Sequence, residues 1–186
     1  MPKYDFIAID VETAALSKPR FICQIGLAYV IGDQIVRTES FLVRPPHNRI
    51  HPRTSQIHGI YESDTENELT FPEIWEQIEE ELNTHQLVAH NASFDSSVLA
   101  ENLSFYTMPN FLKPFVCTYR LLKRGLKDLC YGYAIDYTKH HDACFDAKCC
   151  AQFYINYLNG VLPDTTKMSV KLNNRKKILK DTINKT

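Results

Sequence analysis

Residues 4–9 are almost wholly apolar and lead into Asp10-Val11-Glu12-Thr13, the pattern of a strand covered on both faces. Residues 21–31 and 34–43 are two further runs rich in β-branched and aromatic side chains, and Gly32-Asp33 between them predicts a hairpin. Pro45-Pro46 ends the third strand, because proline cannot donate to a ladder. A loop carrying His47, His51 and His58 is expected after it. From Thr70 the period changes to helical: Thr70 is placed as an N-cap, Pro72 falls in the first turn, and Ile74, Trp75, Ile78 and Leu82 share one face. Residues 86–89 and 115–117 read as short strands, and 93–103, 118–124 and 126–133 as helices. The last strong helical pattern covers 142–158.

Three leading strands followed by alternating helices and strands predict a mixed α/β sheet with helices on its faces. The apolar periodicity fades after Gly160. The expected division is a folded domain at residues 1–160 and a basic C-terminal tail at 161–186, either disordered or a helix that docks only on a partner.

Charge adds to this picture. The tail carries seven basic residues against Asp164 and Asp181, a net +5, while residues 1–160 carry 14 basic and 20 acidic residues, a net −6. An acidic body suits a nucleic-acid partner only if some of its acids hold divalent cations, whose charge inverts the local field. The remaining composition, 44% hydrophobic and 23% charged over 186 residues, fits one globular domain with a sizeable core. No apolar run approaches the roughly 20 residues needed to cross a bilayer, and no secretory apolar stretch opens the chain, so no membrane partner and a cytoplasmic location are expected. The six cysteines, at 23, 117, 130, 144, 149 and 150, form no Cys-x-x-Cys pair and are expected to be small buried apolar residues.

The candidate chemistry lies in three segments. Asp10 and Glu12 sit two apart at the end of a strand, so both face one side, and paired carboxylates there suit Mg²⁺ or Mn²⁺. Asp95 follows the short strand at 86–89, in the first turn of the next helix. His141 and Asp146 are five apart, about 140° on a continuous helix. They meet only if His141 lies in the loop before the helix, with Asp142 near its cap and Asp146 one turn inside. His140 competes with His141 as a base and is expected to be a solvated neighbour. Each segment taken alone reads more simply as a solvated or helix-capping acid.

Together they carry a resemblance. Phe6-Ile7-Ala8-Ile9-Asp10-Val11-Glu12-Thr13, His90-Asn91-Ala92-Ser93-Phe94-Asp95 and His141-x-Ala143-x-x-Asp146-Ala147 resemble, in order and spacing, the three motifs of the DnaQ-like DEDDh 3′→5′ exonuclease superfamily. The likeness extends to Cys23-Gln24-Ile25-Gly26, Ile57-His58-Gly59-Ile60 and Leu126-x-x-Leu129-Cys130-x-x-Tyr133, and so covers about residues 4–158. It implies a ribonuclease-H-like fold with a central mixed five-stranded sheet flanked by helices. It further implies two Mg²⁺ ions, replaceable by Mn²⁺, held by Asp10, Glu12, Asp95 and Asp146, with His141 as the catalytic base. Val11, Thr13, Ala14, His58, Asn91 and Phe94 are the implied substrate-binding residues. The implied partner is a nucleic acid with a free, single-stranded 3′ end, DNA before RNA, with a DNA polymerase as candidate protein partner. Ala14-Ala15 departs from the glycine found here in many relatives, which puts the shape of the nucleotide-facing loop in question. The competing classes are an RNA 3′-end trimming enzyme and a non-catalytic nucleic-acid-binding module.

Overall fold

In the first strand, β1 (Phe6–Thr13), side-chain alternation decides the layering. Ile7, Ile9 and Val11 enter one core, while Phe6 and Ala8 enter another on the opposite face of the sheet. A computed structural model describes residues 3–168 of the chain, and among them β1 is the middle strand of five. β2 (Ile22–Ile31) pairs antiparallel with β1, and β3 (Gln34–Leu42) antiparallel with β2. Gly32, at φ +61°, makes the expected turn between them, a conformation that glycine adopts at little cost. On the other side β4 (Leu87–Ala89) and β5 (Val116–Cys117) add in parallel, giving the order β3-β2-β1-β4-β5. The expected mixed five-stranded sheet is the observed one.

The segment expected to be a loop after β3 is instead helical in part. A 3₁₀ turn at Pro46–Asn48 precedes α1 (Pro52–His58) and α2 (Glu62–Thr65). Local caps hold these short helices: His51 Nδ1 accepts from Arg53 N at 3.1 Å, Pro52 opens α1, and Gly59 closes it at φ +75°. α3 (Phe71–Thr84) starts as predicted, with the backbone N–H and hydroxyl of Thr70 donating to the Glu73 carboxylate at 2.7 and 2.6 Å.

α3 and α4 (Ser93–Phe105) cover the Ile7-Ile9-Val11 face with Ile74, Trp75, Ile78, Leu82, Val98 and Leu99. After α5 (Thr118–Leu122) and α6 (Leu126–Gly132), α7 (Ala143–Leu158) covers the Phe6-Ala8 face with Ala147, Cys150, Ala151 and Ile155. All six cysteines are free; Cys23, Cys130, Cys149 and Cys150 are buried as expected, whereas Cys117 and Cys144 are only half-buried. The first residues of the expected tail are seated on α6: Asp164 N donates to the Gly132 carbonyl at 2.9 Å, and the Tyr133 hydroxyl to the Val161 carbonyl at 3.1 Å. Residues 169–186, with six of the seven basic side chains of the tail, lie outside the described residues. Among the described residues no helix is long and apolar enough to cross a membrane.

Candidate active site

β1 continues through Thr13, so Asp10 and Glu12 are strand residues on the same face as Phe6 and Ala8, the face that receives α7. Two features of β2 bring the start of α7 to them. Gln24, opposite Glu12, accepts from Ala143 N through Oε1 at 3.0 Å and donates from Nε2 to Ser40 Oγ at 3.1 Å. Gly26, opposite Asp10, leaves the room the helix needs, since a Cβ there would lie 2.1 Å from the Ala143 carbonyl. Asp142 caps α7 by accepting from Phe145 N at 2.8 Å, so Asp146 falls in its first turn and His141 in the preceding loop. This is the arrangement the spacing required. Asp95 comes from the first turn of α4, 1% exposed.

The oxygens of Asp10, Glu12 and Asp146 lie within 4.8 Å of one another, and His141 Nδ1 is 3.6 Å from Glu12 Oε1. Both carboxylate oxygens of Asp95 and Oδ1 of Asp146 are buried without a hydrogen-bond partner. A polar atom buried in this way is costly unless something absent from the chain satisfies it. The electrostatics agree. Burial pushes Asp10 well above the usual carboxylate range, and the neighbouring Asp95, Asp146 and Glu12 push it further. Glu12 is pushed up to about 8 by burial, then Asp146 and Asp95. Asp95 is pushed up to about 7 and Asp146 to about 6, each mainly by burial. Four oxygen donors that cannot all hold their charge unaided form a set able to bind divalent cations.

His140 is not the solvated neighbour expected. Its Nδ1 lies 2.9 Å from Asp146 Oδ2, its ring stacks on Tyr137 at 4.5 Å, and it touches the His141 ring at 3.5 Å between centroids. The reason is the positive φ of His141, +69°, which turns the chain so that successive side chains both face α7. Burial lowers the proton affinity of both rings, and His140 lowers that of His141 further.

Asp10, Glu12, His140, His141 and Asp146 floor a cavity of about 420 Å³, whose lining does not include Asp95. Of the expected substrate-binding set, Val11, Thr13, His58 and Phe94 line it. Ala14 and Asn91 do not. Ala14 is 2% exposed and packs with Cys23, Ile50 and Ile60, its carbonyl accepting from His51 N at 2.8 Å. Asn91 is exposed in the turn between β4 and α4, at φ +66°. Ala15 and Leu16 take the place on the wall expected of Ala14, and neither alanine needs the positive φ that glycine would allow. His58 also braces the wall: its Nδ1 accepts from Ile60 N at 3.1 Å, which leaves Nε2–H to donate to the Thr13 carbonyl at 3.2 Å.

Sequence reasoning missed further wall residues. His90 lies 2.9 Å through Nδ1 from Thr118 Oγ1, and burial lowers its proton affinity to about 4. Arg20 lies over the Phe94 ring at 5.0 Å, held by the Glu101 carboxylate and Ser97 Oγ. His90 sits in the segment that carries Asp95, a signal that was available; Arg20 has none in the sequence.

Residues 7–154 match the RNase_T family, described as exonuclease. A DNA polymerase III of the PolC type from Thermotoga maritima is 28% identical over 192 residues, covering 97% of this chain and 14% of its own length. The chain thus spans about a seventh of that relative. A structure of exonuclease X in complex with 5′ overhanging duplex DNA is 27% identical at a TM-score of 0.66, covering 88% of this chain and 96% of that one. The nuclease domain of 3′hExo, a DEDDh family member bound to rAMP, shares the fold at a TM-score of 0.72 and 18% identity, over 84% of this chain and 93% of that one. With the family matched across 148 residues that include every carboxylate of the cluster, the chain belongs to the DnaQ-like 3′→5′ exonucleases.

Proposed function

We propose that this exonuclease removes nucleotides one at a time from single-stranded 3′ ends of DNA, with Mg²⁺ as its natural ion and Mn²⁺ able to substitute. The observation that carries the reading is the convergence of Asp10, Glu12 and Asp146 within 4.8 Å, beside a buried Asp95 whose oxygens have no partner. Asp10, Glu12 and Asp146 would hold one cation, and Asp10 with Asp95 a second. Bound there, the cations supply Lewis-acid stabilisation of the scissile phosphate and lower the proton affinity of water.

The protein's own residues do the rest. His141 takes the proton from the attacking water. Its Nδ1 faces Glu12, so Nε2 is the nitrogen left with the lone pair, and the lowered proton affinity keeps the ring neutral and receptive at pH 7. The Val11–Thr13 backbone lies along the terminal nucleotide, shaped by the His58 bond to the Thr13 carbonyl. Phe94, held flat by Arg20, offers a face for a base, a contact indifferent to sequence. The polymerase relatives and the DNA-bound exonuclease X favour DNA, and with them a DNA polymerase as protein partner and the cytoplasm as location.

The test is 5′-labelled single-stranded DNA and RNA of equal sequence, incubated with Mg²⁺, Mn²⁺ or EDTA and resolved to single nucleotides. A metal-dependent ladder that shortens from the 3′ end faster on DNA is the expected result. Faster shortening of RNA would reassign the substrate, and binding without cleavage would leave a nucleic-acid-binding module.

A further inference from the structure

We propose that His140, His141 and Asp146 form a second metal site at the edge of the cleft, overlapping the carboxylate set at Asp146, one that takes a borderline transition-metal ion, Zn²⁺ first, and that filling it stops the nuclease. The second half rests on the exonuclease reading; the binding itself does not.

The ligand atoms of the three residues lie within 4.8 Å of one another. Tetrahedral zinc at its usual bond lengths of about 2.0–2.2 Å sets its ligands some 3.4 Å apart, so small side-chain shifts suffice. The donors differ in kind from those of the Asp10-Glu12-Asp146 set. Two imidazoles and one carboxylate suit Zn²⁺, whereas an all-oxygen set suits Mg²⁺ and Mn²⁺. Three protein ligands leave a fourth position, and Glu12 Oε1, 3.6 Å from His141 Nδ1, stands beside it.

Two further observations point to a ligand here. Asp146 is 3% exposed, and its Oδ1 is buried without a partner. The His140 ring is already held, stacked on Tyr137 at 4.5 Å, so little rotamer freedom remains to be lost on binding. Inhibition follows from the chemistry of the ring. A metal on either nitrogen of His141 uses one lone pair, and the other nitrogen keeps its proton, so the ring no longer accepts one from water. Asp146 is withdrawn from the carboxylate set at the same time.

The experiment measures Zn²⁺ binding to the full chain by calorimetry in excess Mg²⁺, with Co²⁺ as a visible-band probe of tetrahedral nitrogen and oxygen ligation. One equivalent of Zn²⁺ is expected, with an affinity that Mg²⁺ lowers because both ions draw on Asp146. His140→Ala should weaken it at least about tenfold, the lower end of what even supporting groups contribute to a metal site. His140→Cys, which restores a zinc ligand, should recover it and give Co²⁺ the bands of thiolate ligation. In the nuclease assay the zinc concentration that halves each protein's own Mg²⁺ activity should rise in His140→Ala and fall back in His140→Cys. Equal zinc affinity in wild type and His140→Ala, or no bound equivalent, would each overturn the site. Zinc binding that follows these variants in a protein without nuclease activity would uphold the site and remove the function reading instead.

Discussion

Gly26 and Ala143 are in backbone contact: a Cβ on Gly26 would stand 2.1 Å from the Ala143 carbonyl carbon and oxygen. Gly26 pairs with Asp10 across the sheet, and Ala143 opens the helix that bears Asp146. This contact therefore sets the distance between two carboxylates that the sequence places far apart. Gly26→Ala should push the start of α7 off the sheet. Overpacking of this kind costs about 1–3 kcal/mol, and a displacement of about 1 Å in such a centre can cost 10²-fold in rate. The check is a melting curve beside the 3′-end assay; a variant as active as wild type would remove this role for Gly26.

The buried acids oppose the metal-free fold. Asp95→Asn should abolish most cleavage yet raise the stability of the metal-free protein by on the order of 1–2 kcal/mol at pH 8. The sign follows from a folded-state value of about 7, above the usual carboxylate range. The charged form is then penalised on folding, so the variant's advantage is absent near pH 3, grows as pH rises to about 7 and is constant beyond. Urea midpoints across that range in EDTA test it.

Metal should act in the opposite direction. Saturating Mg²⁺ or Mn²⁺ should raise the melting temperature of the wild type, by about 2.7 kcal/mol of stability at 100 times the dissociation constant. EDTA should reverse both this gain and the activity. Asp10→Ala and Asp146→Ala should show neither the full gain nor cleavage. Full activity in EDTA would end the metal-dependent reading.

The two adjacent histidines should separate. His141→Ala is expected to lower the rate roughly 10²–10⁴-fold, the usual share of general acid–base catalysis. His140→Ala removes a hydrogen bond to Asp146 and should cost about tenfold in Mg²⁺, the share of one bond to a charged group. The reverse order in single-turnover rates would exchange their roles.

Arg20 and Glu101 give a prediction away from the cations. The Arg20 guanidinium holds the Glu101 carboxyl down at about 2, against an ordinary 4.5. A lowered acid contributes stability above its unfolded value and loses it as pH falls through the folded one. Glu101→Gln should therefore be less stable than wild type at pH 7, and the gap should close between about pH 4.5 and 2. Loss of the support under Phe94 should also raise KM more than it lowers kcat.

Where the chain announces itself by period and cap, the sequence was legible. The hairpin around Gly32, the Thr70–Glu73 start of α3 and the Asp142 cap of α7 all stand where pattern placed them. The four carboxylates could be grouped only through the resemblance of their three motifs taken together, since each alone reads as a solvated or helix-capping acid. The helices α1 and α2 were not legible, since seven and four residues are too few to show a period. Nor was the place of His140, because helical spacing says nothing about a loop that turns at positive φ. Ala14 and Asn91 failed as wall residues for a related reason: adjacency to a ligand along the chain does not fix which way a backbone faces. The exposed wall residues Leu16 and Ile57, 53% and 51% exposed, look in sequence like any stray surface hydrophobe.

The parts of the cluster are contributed by the first strand, by a helix in the middle of the chain and by the last helix among the described residues. A nascent chain still short of residue 146 has strands and helices to form but no competent centre. A chain that loses the docking of α7 is in the same position. With this cluster as the proposed catalytic centre, hydrolysis is expected to require the docking of α7 and to be lost with it.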